Sequence, residues 1–377
     1  MPFAISSKLL RIFFFLLSLA LFQAQSQNEI RTVGGPNLPY YQSLTQAFQD
    51  ITANPLLNDV DLVLASGYLS SSETFPLQLP NASMTAGHGI RIYPAVSGLS
   101  ILAASATGII NINGSANVIL DGRVNGTGNN RDLVIENDGN GYAIQISNGA
   151  NHNSVKHCIL RGSNAANTTP GVVNFSASTA STGATYNLVD SCDITNGINY
   201  PRTAVYAVGA SGKINNHNTI SHCNIYNFRS ASSGSYGIFI DNYNENWDIL
   251  GNCFFQTSLP LYTASASISV INLSTYGTSG SGFLVSGNKI GGSAPDCAGS
   301  PYAFVNNNNP PEFNGIRILI ANTAYSTISN NVIQNISCSS DFMGIRIDQA
   351  KYLKVLNNTI GDSVGNASIK LYKPVFH

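Results

Sequence analysis

Hydrophobic positions along the middle of this chain recur in one short form. Val155-Lys-His-Cys158-Ile-Leu160, Val189-Asp-Ser-Cys192-Asp-Ile194 and Ile220-Ser-His-Cys223-Asn-Ile225 share the pattern V/I-x-x-N/C-x-I/F. It returns in Ile249-Leu-Gly-Asn252-Cys-Phe254, Val285-Ser-Gly-Asn288-Lys-Ile290, Ile328-Ser-Asn-Asn331-Val-Ile333 and Val355-Leu-Asn-Asn358-Thr-Ile360. Val118-Ile-Leu-Asp121-Gly-Arg123 reads as a degenerate first copy, which sets the marker spacing at 27 to 43 residues. A second signature precedes most markers: Gly237-Ile-Phe-Ile240, Gly315-Ile-Arg-Ile318 and Gly344-Ile-Arg-Ile347, with looser copies at Tyr142-Ala-Ile-Gln-Ile146 and Thr203-Ala-Val-Tyr-Ala-Val208. Each repeat thus holds two short alternating strands, a small polar turn and a longer variable loop.

Strands this short cannot bury an apolar face alone, whereas stacked coils bury it together and pair their backbones in parallel. The pattern predicts an all-β fold, a right-handed parallel β-helix. The competing β-sandwich has no need of a repeated Asn slot. The marker Asn is expected at a corner, in the left-handed conformation, bonded to its equivalent one coil away. Cys158, Cys192 and Cys223 are expected as small buried fillers of the same slot. An open solenoid end exposes strand edges and needs a cap. Tyr41 to Ile51 supplies a short N-terminal capping helix: Ser43-Leu-Thr-Gln46 has capping-box form, and Leu44, Ala47, Phe48 and Ile51 share one face. Residues 27–107 are therefore read as the cap and irregular first coils, with strand-like runs at Val60–Leu64, Gly89–Tyr93, Ile101–Ala104 and Ile109–Ile112. Residues 108–377 are read as the β-helix proper. Ser368 to Phe376 reads as one more strand, which either closes the stack or marks a truncated chain.

Composition adds a destination. Residues 1–26 read as a signal peptide: Lys8 and Arg11 precede an apolar run from Ile12 to Phe22, and Ala24-Gln25-Ser26 offers cleavage before Gln27. No Cys follows that run, so a lipid anchor is not expected, and no other segment is apolar enough to span a bilayer. Losing the leader removes 2 of 18 basic residues and leaves 16 against 19 acidic ones, a net of −3. That balance, without a basic patch, argues against nucleic acid. Charged residues make up 10% of the chain, against roughly 25% in ordinary domains. Asn, Ser, Thr and Gly replace them, a surface suited to sugar contact. None of the six Cys forms C-x-x-C, which argues against a zinc or thioredoxin-type site.

Thr32-Val-Gly-Gly35, Tyr40-Tyr41 and Ala47-Phe48, together with Asn117-Val-Ile-Leu-Asp-Gly122, Asn125-Gly-Thr-Gly128 and Leu133-Val-Ile-Glu136, resemble secreted and surface proteins of Bacteroidota. Those carry a β-helix of the pectate-lyase-like superfamily, and the resemblance covers most of residues 31 to 360. It implies a secreted or outer-surface location. Such proteins often end in a C-terminal sorting domain, and none is read here. The resemblance also brings in polysaccharide lyases and glycoside hydrolases, the fold's best-known members. Galacturonan hydrolases use clustered Asp, then G-H-G, then R-x-K. Gly87-His88-Gly89 has no paired Asp ahead and no R-x-K behind, so it reads as a loop His beside turn glycines.

Three groups remain as candidate sites. Asp241, Asn244, Glu245 and Asp248 could converge as oxygen ligands for Ca²⁺, with Tyr243 or Trp247 stacking on a sugar; a plain polar turn is the simpler account. Arg317, Arg346 and Asp348 point outward by period 2 and could bind an acidic sugar or act in its cleavage; a surface salt bridge is the simpler account. Cys297 and Cys338 follow markers 288 and 331 in corresponding loops and could form a disulfide. No cofactor is expected apart from the calcium alternative. The sequence favours a monomeric, non-catalytic module or adhesin part that binds a polysaccharide, a surface glycan or another partner. The alternative is a lyase or hydrolase acting on an acidic polysaccharide with a divergent site.

Overall fold

The structure is a computed structural model. It describes residues 28–361 except 36–39, 84, 167–168, 264–265, 276–279, 307–309 and 322–323. The leader and the Ser368–Phe376 segment lie outside the described residues.

The repeats build an all-β parallel solenoid with three faces. Among the described residues, a long face holds eleven strands, from Glu29–Val33 to Leu353–Leu356. A marker face holds nine, from Leu99–Ala103 to Thr359–Ile360. A front face holds nine, from Leu77–Gln78 to Phe342–Gln349. A coil runs front, long, marker, then through a variable loop back to front. Every pairing between neighbouring coils within these three faces is parallel, as at Val155↔Val189 and Ile238↔Ile271. Connections between parallel strands are right-handed in nearly all proteins.

Period 2 divides each strand. Along the long face Leu120, Val155, Val189, Ile220, Ile249, Val285 and Ile328 share one inward column and are buried. Burying each such side chain contributes about 1.5–3 kcal/mol. No strand has this core to itself, so only stacking makes it dry. The N-terminal end is covered by helix α1 (Leu44–Ala53), which buries Leu44, Ala47, Phe48 and Ile51. Its Ser43 side chain accepts from the Gln46 N–H, and Gln46 Oε1 accepts from the Gln42 N–H. Glu73 accepts from the N–H groups of Leu44 and Thr45. Orphan donors of the first turn are thereby satisfied.

The corner differs from the sequence expectation by one residue. The left-handed residue is the one before the marker: His157, Ser191, His222, Gly251, Gly287, Asn330 and Asn357 all have φ between 51° and 69°. The marker itself is not left-handed and points inward. Asn252, Asn288, Asn331 and Asn358 form a ladder in which each Oδ1 accepts from the backbone N–H one coil earlier, at 3.0 Å throughout. Each Nδ2 of Asn252, Asn288 and Asn331 also donates to the next Oδ1, at 2.8–3.0 Å. Asp121 is not a marker. It pairs with Lys156, and Leu133 pairs with Cys158 in the slot, because residues 122–132 are inserted at that corner.

Candidate ligand-binding face

The x of each G-I-x-I strand and its looser copies points outward on the front face. Register joins these positions into one column: Gln78, Asn111, Gln145 and Asn174, then Tyr206 and Phe239, then Asn272, Arg317 and Arg346. Neighbours are one strand spacing apart, about 4.8 Å. The first four amides are chained: Asn111 Nδ2 donates to Gln78 Oε1 at 3.0 Å, Gln145 Nε2 to Asn111 Oδ1 at 3.4 Å and Asn174 Nδ2 to Gln145 Oε1 at 3.1 Å. Tyr206 and Phe239 meet edge to face at 5.4 Å, and Tyr236 packs on Phe239 at 4.6 Å. Tyr206 Oη donates to Asp241 Oδ2 at 2.9 Å. Burial, and then the neighbouring Asp241 carboxylate, push the Tyr206 phenol well above its ordinary range and keep it neutral. Gln145, Phe239, Arg317 and Arg346 reach solvent, while Asn174, Tyr206 and Asn272 are shaded by their neighbours.

Clefts flank the first half of this column. One of about 470 Å³ lies between α1 and Gln78, and one of about 430 Å³ beside Asn113 and Asn148. A third, of about 490 Å³, is lined by Tyr142, Gln145, Asn174 and Tyr206. The two arginines close the described end. Arg317 Nε donates to Asp348 Oδ2 at 2.6 Å and Arg346 Nε to Asp348 Oδ1 at 2.7 Å. Arg346 Nη1 donates to Glu312 Oε1 at 2.7 Å. Burial raises the Asp348 carboxyl, but hydrogen bonds from Arg346 and Arg317 outweigh it and hold the group below the usual carboxylate range. Asp348 gains this position from a bulge: Ile318 pairs with Ile347 and Leu319 with Gln349, which leaves Asp348 as the extra residue.

The structure thus brings Arg317, Arg346 and Asp348 together and adds Glu312. Sequence reasoning missed Glu312 because its partner Arg346 belongs to the next coil. It also missed the amide and aromatic members, although the same slot carried them in Tyr142-Ala-Ile-Gln-Ile146 and Gly237-Ile-Phe-Ile240.

The other candidates do not assemble. Asp241 follows the front-face strand Ser235–Ile240 and faces Tyr206 and Asn242. Asn244 is buried and donates to the Ala207, Asp241 and Asn242 carbonyls. Glu245 turns outward to Asn216, and Asp248 begins the next long-face strand beyond the buried Trp247. A corner separates these four, so they form no calcium cage, and no group of three His, Cys, Asp or Glu that could hold a metal occurs among the described residues. The expected Cys297–Cys338 bridge is not formed. Cys297 Sγ faces the Val332 carbonyl, and Cys338 Sγ faces the Pro311, Ser340 and Asp341 carbonyls. His88 sits 3.3 Å from Asp59, in a loop tied down by Gly89 N–H on the same carboxylate.

A further cleft, of about 790 Å³, lies on the N-terminal part of the long face around Asp61 and Arg91. Asp61 is buried at its floor, and both of its oxygens are taken by Asn28, Arg91 and Tyr93. The carboxylate at its centre is thus consumed within the protein, and the cleft lies over the N-terminal coils, from Asn28 to Ser154.

No protein-family model matches the chain. No curated protein matches it either. Among solved structures, the chain is similar to a surface adhesin of Streptococcus pneumoniae, at 12% identity and a TM-score of 0.47, over 89% of this chain and 91% of that one. It is also similar to a pectin methylesterase from Aspergillus niger, at 9% identity and a TM-score of 0.38, over 92% of this chain and 93% of that one.

Proposed function

We propose that this chain is an exported, non-catalytic binding protein that holds an extended polysaccharide along its front face. One observation carries the reading: an outward column with one amide, aromatic or guanidinium side chain per coil, of which Gln78, Asn111, Gln145, Phe239, Arg317 and Arg346 reach solvent. Amides offer a donor and an acceptor to sugar hydroxyls, and the Tyr236–Phe239 surface offers an apolar ring face. A straight row at about 4.8 Å per coil suits a chain ligand rather than a compact one. The expected leader supports export, and no helix among the described residues is long and apolar enough to cross a membrane.

Binding is favoured over cleavage by the state of the ionisable groups. Acid–base catalysis needs a group poised to exchange a proton and free to reach the substrate. Asp348 is clamped between two guanidiniums, and Asp241 is turned to Tyr206 and Asn242. The alternative, a lyase or hydrolase of acidic polysaccharides, has the Arg317, Arg346 and Asp348 cluster in its favour. A glycan array run beside assays for new reducing ends and unsaturated uronates separates the two. The expected result is retention of a polymeric glycan without product, weakened about tenfold by Phe239→Ala, the worth of one stacking contact. Product formation from any bound glycan would overturn the reading.

A further inference from the structure

Charge is distributed unevenly along the front column. Its first seven members, Gln78 through Asn272, carry none. Arg317 and Arg346, the last two, are both cationic and are direct register partners. Among the described residues, Arg317 bonds the protein only through Nε, and Arg346 only through Nε and Nη1. Both Nη groups of Arg317 and Nη2 of Arg346 stay open, and each can only donate. Asp348 has given one oxygen to each arginine. Side-chain exposures of 31% and 25% place the two guanidiniums at the surface, held in fixed orientation by that carboxylate.

Resting on the polysaccharide reading, we infer that this end of the front face seats one carboxylated sugar at the end of an otherwise neutral glycan. A planar carboxylate matches a guanidinium fork, and charge-assisted bonds are about twice as strong as neutral ones. The amide and aromatic stretch has no cation to recognise further carboxylates, so a uniformly acidic polymer leaves most of its charges unpaired. Asp348 and Glu312 add to that discrimination, because they repel any carboxylate that is not aligned with the open Nη groups.

The test uses cello-, manno- and galactohexaose, each as the neutral sugar and with its non-reducing terminal C6 oxidised to a carboxylate. Titration calorimetry with the full chain reads the affinity ratio of acidic to neutral form. The expected ratio is about ten for the preferred hexaose, falling toward one at high salt. Arg317→Gln brings the ratio to about one. A ratio of one in the unmodified protein, with hexaose still bound, overturns this inference and leaves the polysaccharide reading standing. Absence of binding by every hexaose overturns both.

Discussion

The two ends of the long face solve one backbone problem with different residues. At its marker corner three successive coils carry Cys158, Cys192 and Cys223, and the later ones carry Asn252, Asn288 and Asn331. At its other corner the same three coils carry buried Asn153, Asn187 and Asn218, whereas the next two carry Trp247 and Phe283. The amide ladder therefore changes corners between Ile220 and Ile249. Asn187 and Asn288 make equivalent bonds at their separate corners. Each Nδ2 donates to a carbonyl one coil back and to the next amide, all at 2.9 Å. Each Oδ1 accepts the backbone N–H of the preceding coil, at 3.2 and 3.0 Å. Cys192 repeats this geometry weakly: its Sγ faces the Val155 carbonyl at 3.6 Å and its N–H faces Cys223 Sγ at 3.4 Å. A corner N–H has no backbone partner, so the side chain of the next coil must supply one. Thiol and hydroxyl can stand in, as Ser326 does for the Phe283 N–H. The comparison shows that each of these middle coils keeps one strong amide corner and gives the other to packing.

The largest break in this arrangement is Trp247→Ala. Trp247 is fully buried, packs edge to face on Phe175 at 4.7 Å and donates Nε1 to the Asn215 carbonyl. It fills the interior where the first ladder stops. Its removal should cost about 3–5 kcal/mol, read as a lower denaturant midpoint. A cost below about 1 kcal/mol would show that this corner is loosely filled and that the switch of corners has no packing cause.

Next in size is the contrast between Asn288→Ala and Cys192→Ala at the same slot. The first strands the Asn252 N–H and takes one donor each from the Ile249 carbonyl and from Asn331 Oδ1, which keeps the backbone N–H of residue 288, at about 2–3 kcal/mol. The second removes long, weak thiol contacts and a small volume, at about 1 kcal/mol. Equal costs in urea unfolding would mean that the slot needs volume alone.

These positions also show how far the sequence could be read. The slot itself was plain, because Val155, Val189, Ile220 and their successors repeat in fixed offset from it. Its left-handed neighbour was hidden, because His, Ser, Gly and Asn all occupy that place. Asp121 misled because an insertion at its corner moved the slot to Leu133. The second ladder, Asn153-Ser-Val155, Asn187-Leu-Val189 and Asn218-Thr-Ile220, was present as a pattern but ran for only three copies. On the front face, period 2 sufficed to align Arg317 with Arg346 and to turn Asp348 outward, but not to show the bulge that seats Asp348 between them. It could not supply Glu312, whose contact with Arg346 is made between coils. Asp241 through Asp248 failed in the opposite way: they are neighbours in sequence that a corner carries apart.

The smallest effect separates the interior ladder from the ion network outside it. The ladder holds no titratable group, so the cost of Asn288→Ala should be the same at pH 7 and pH 4. Asp348 behaves otherwise. Its folded carboxyl is held below its unfolded range, so it binds a proton later in the folded state than in the unfolded chain. Its contribution is therefore fully present above the ordinary carboxylate value, about 4, and is lost as pH falls below that through the folded value. With side-chain exposures of 22% for Asp348 and 31% and 25% for its arginines, solvent screening limits the effect to about 0.5–1 kcal/mol. Urea midpoints at pH 7, 4 and 2.5 should show the protein ahead of Asp348→Asn at neutral pH and the gap closing only in acid. A gap that persists at pH 2.5 would place its origin in the bulge that seats residue 348, not in its charge.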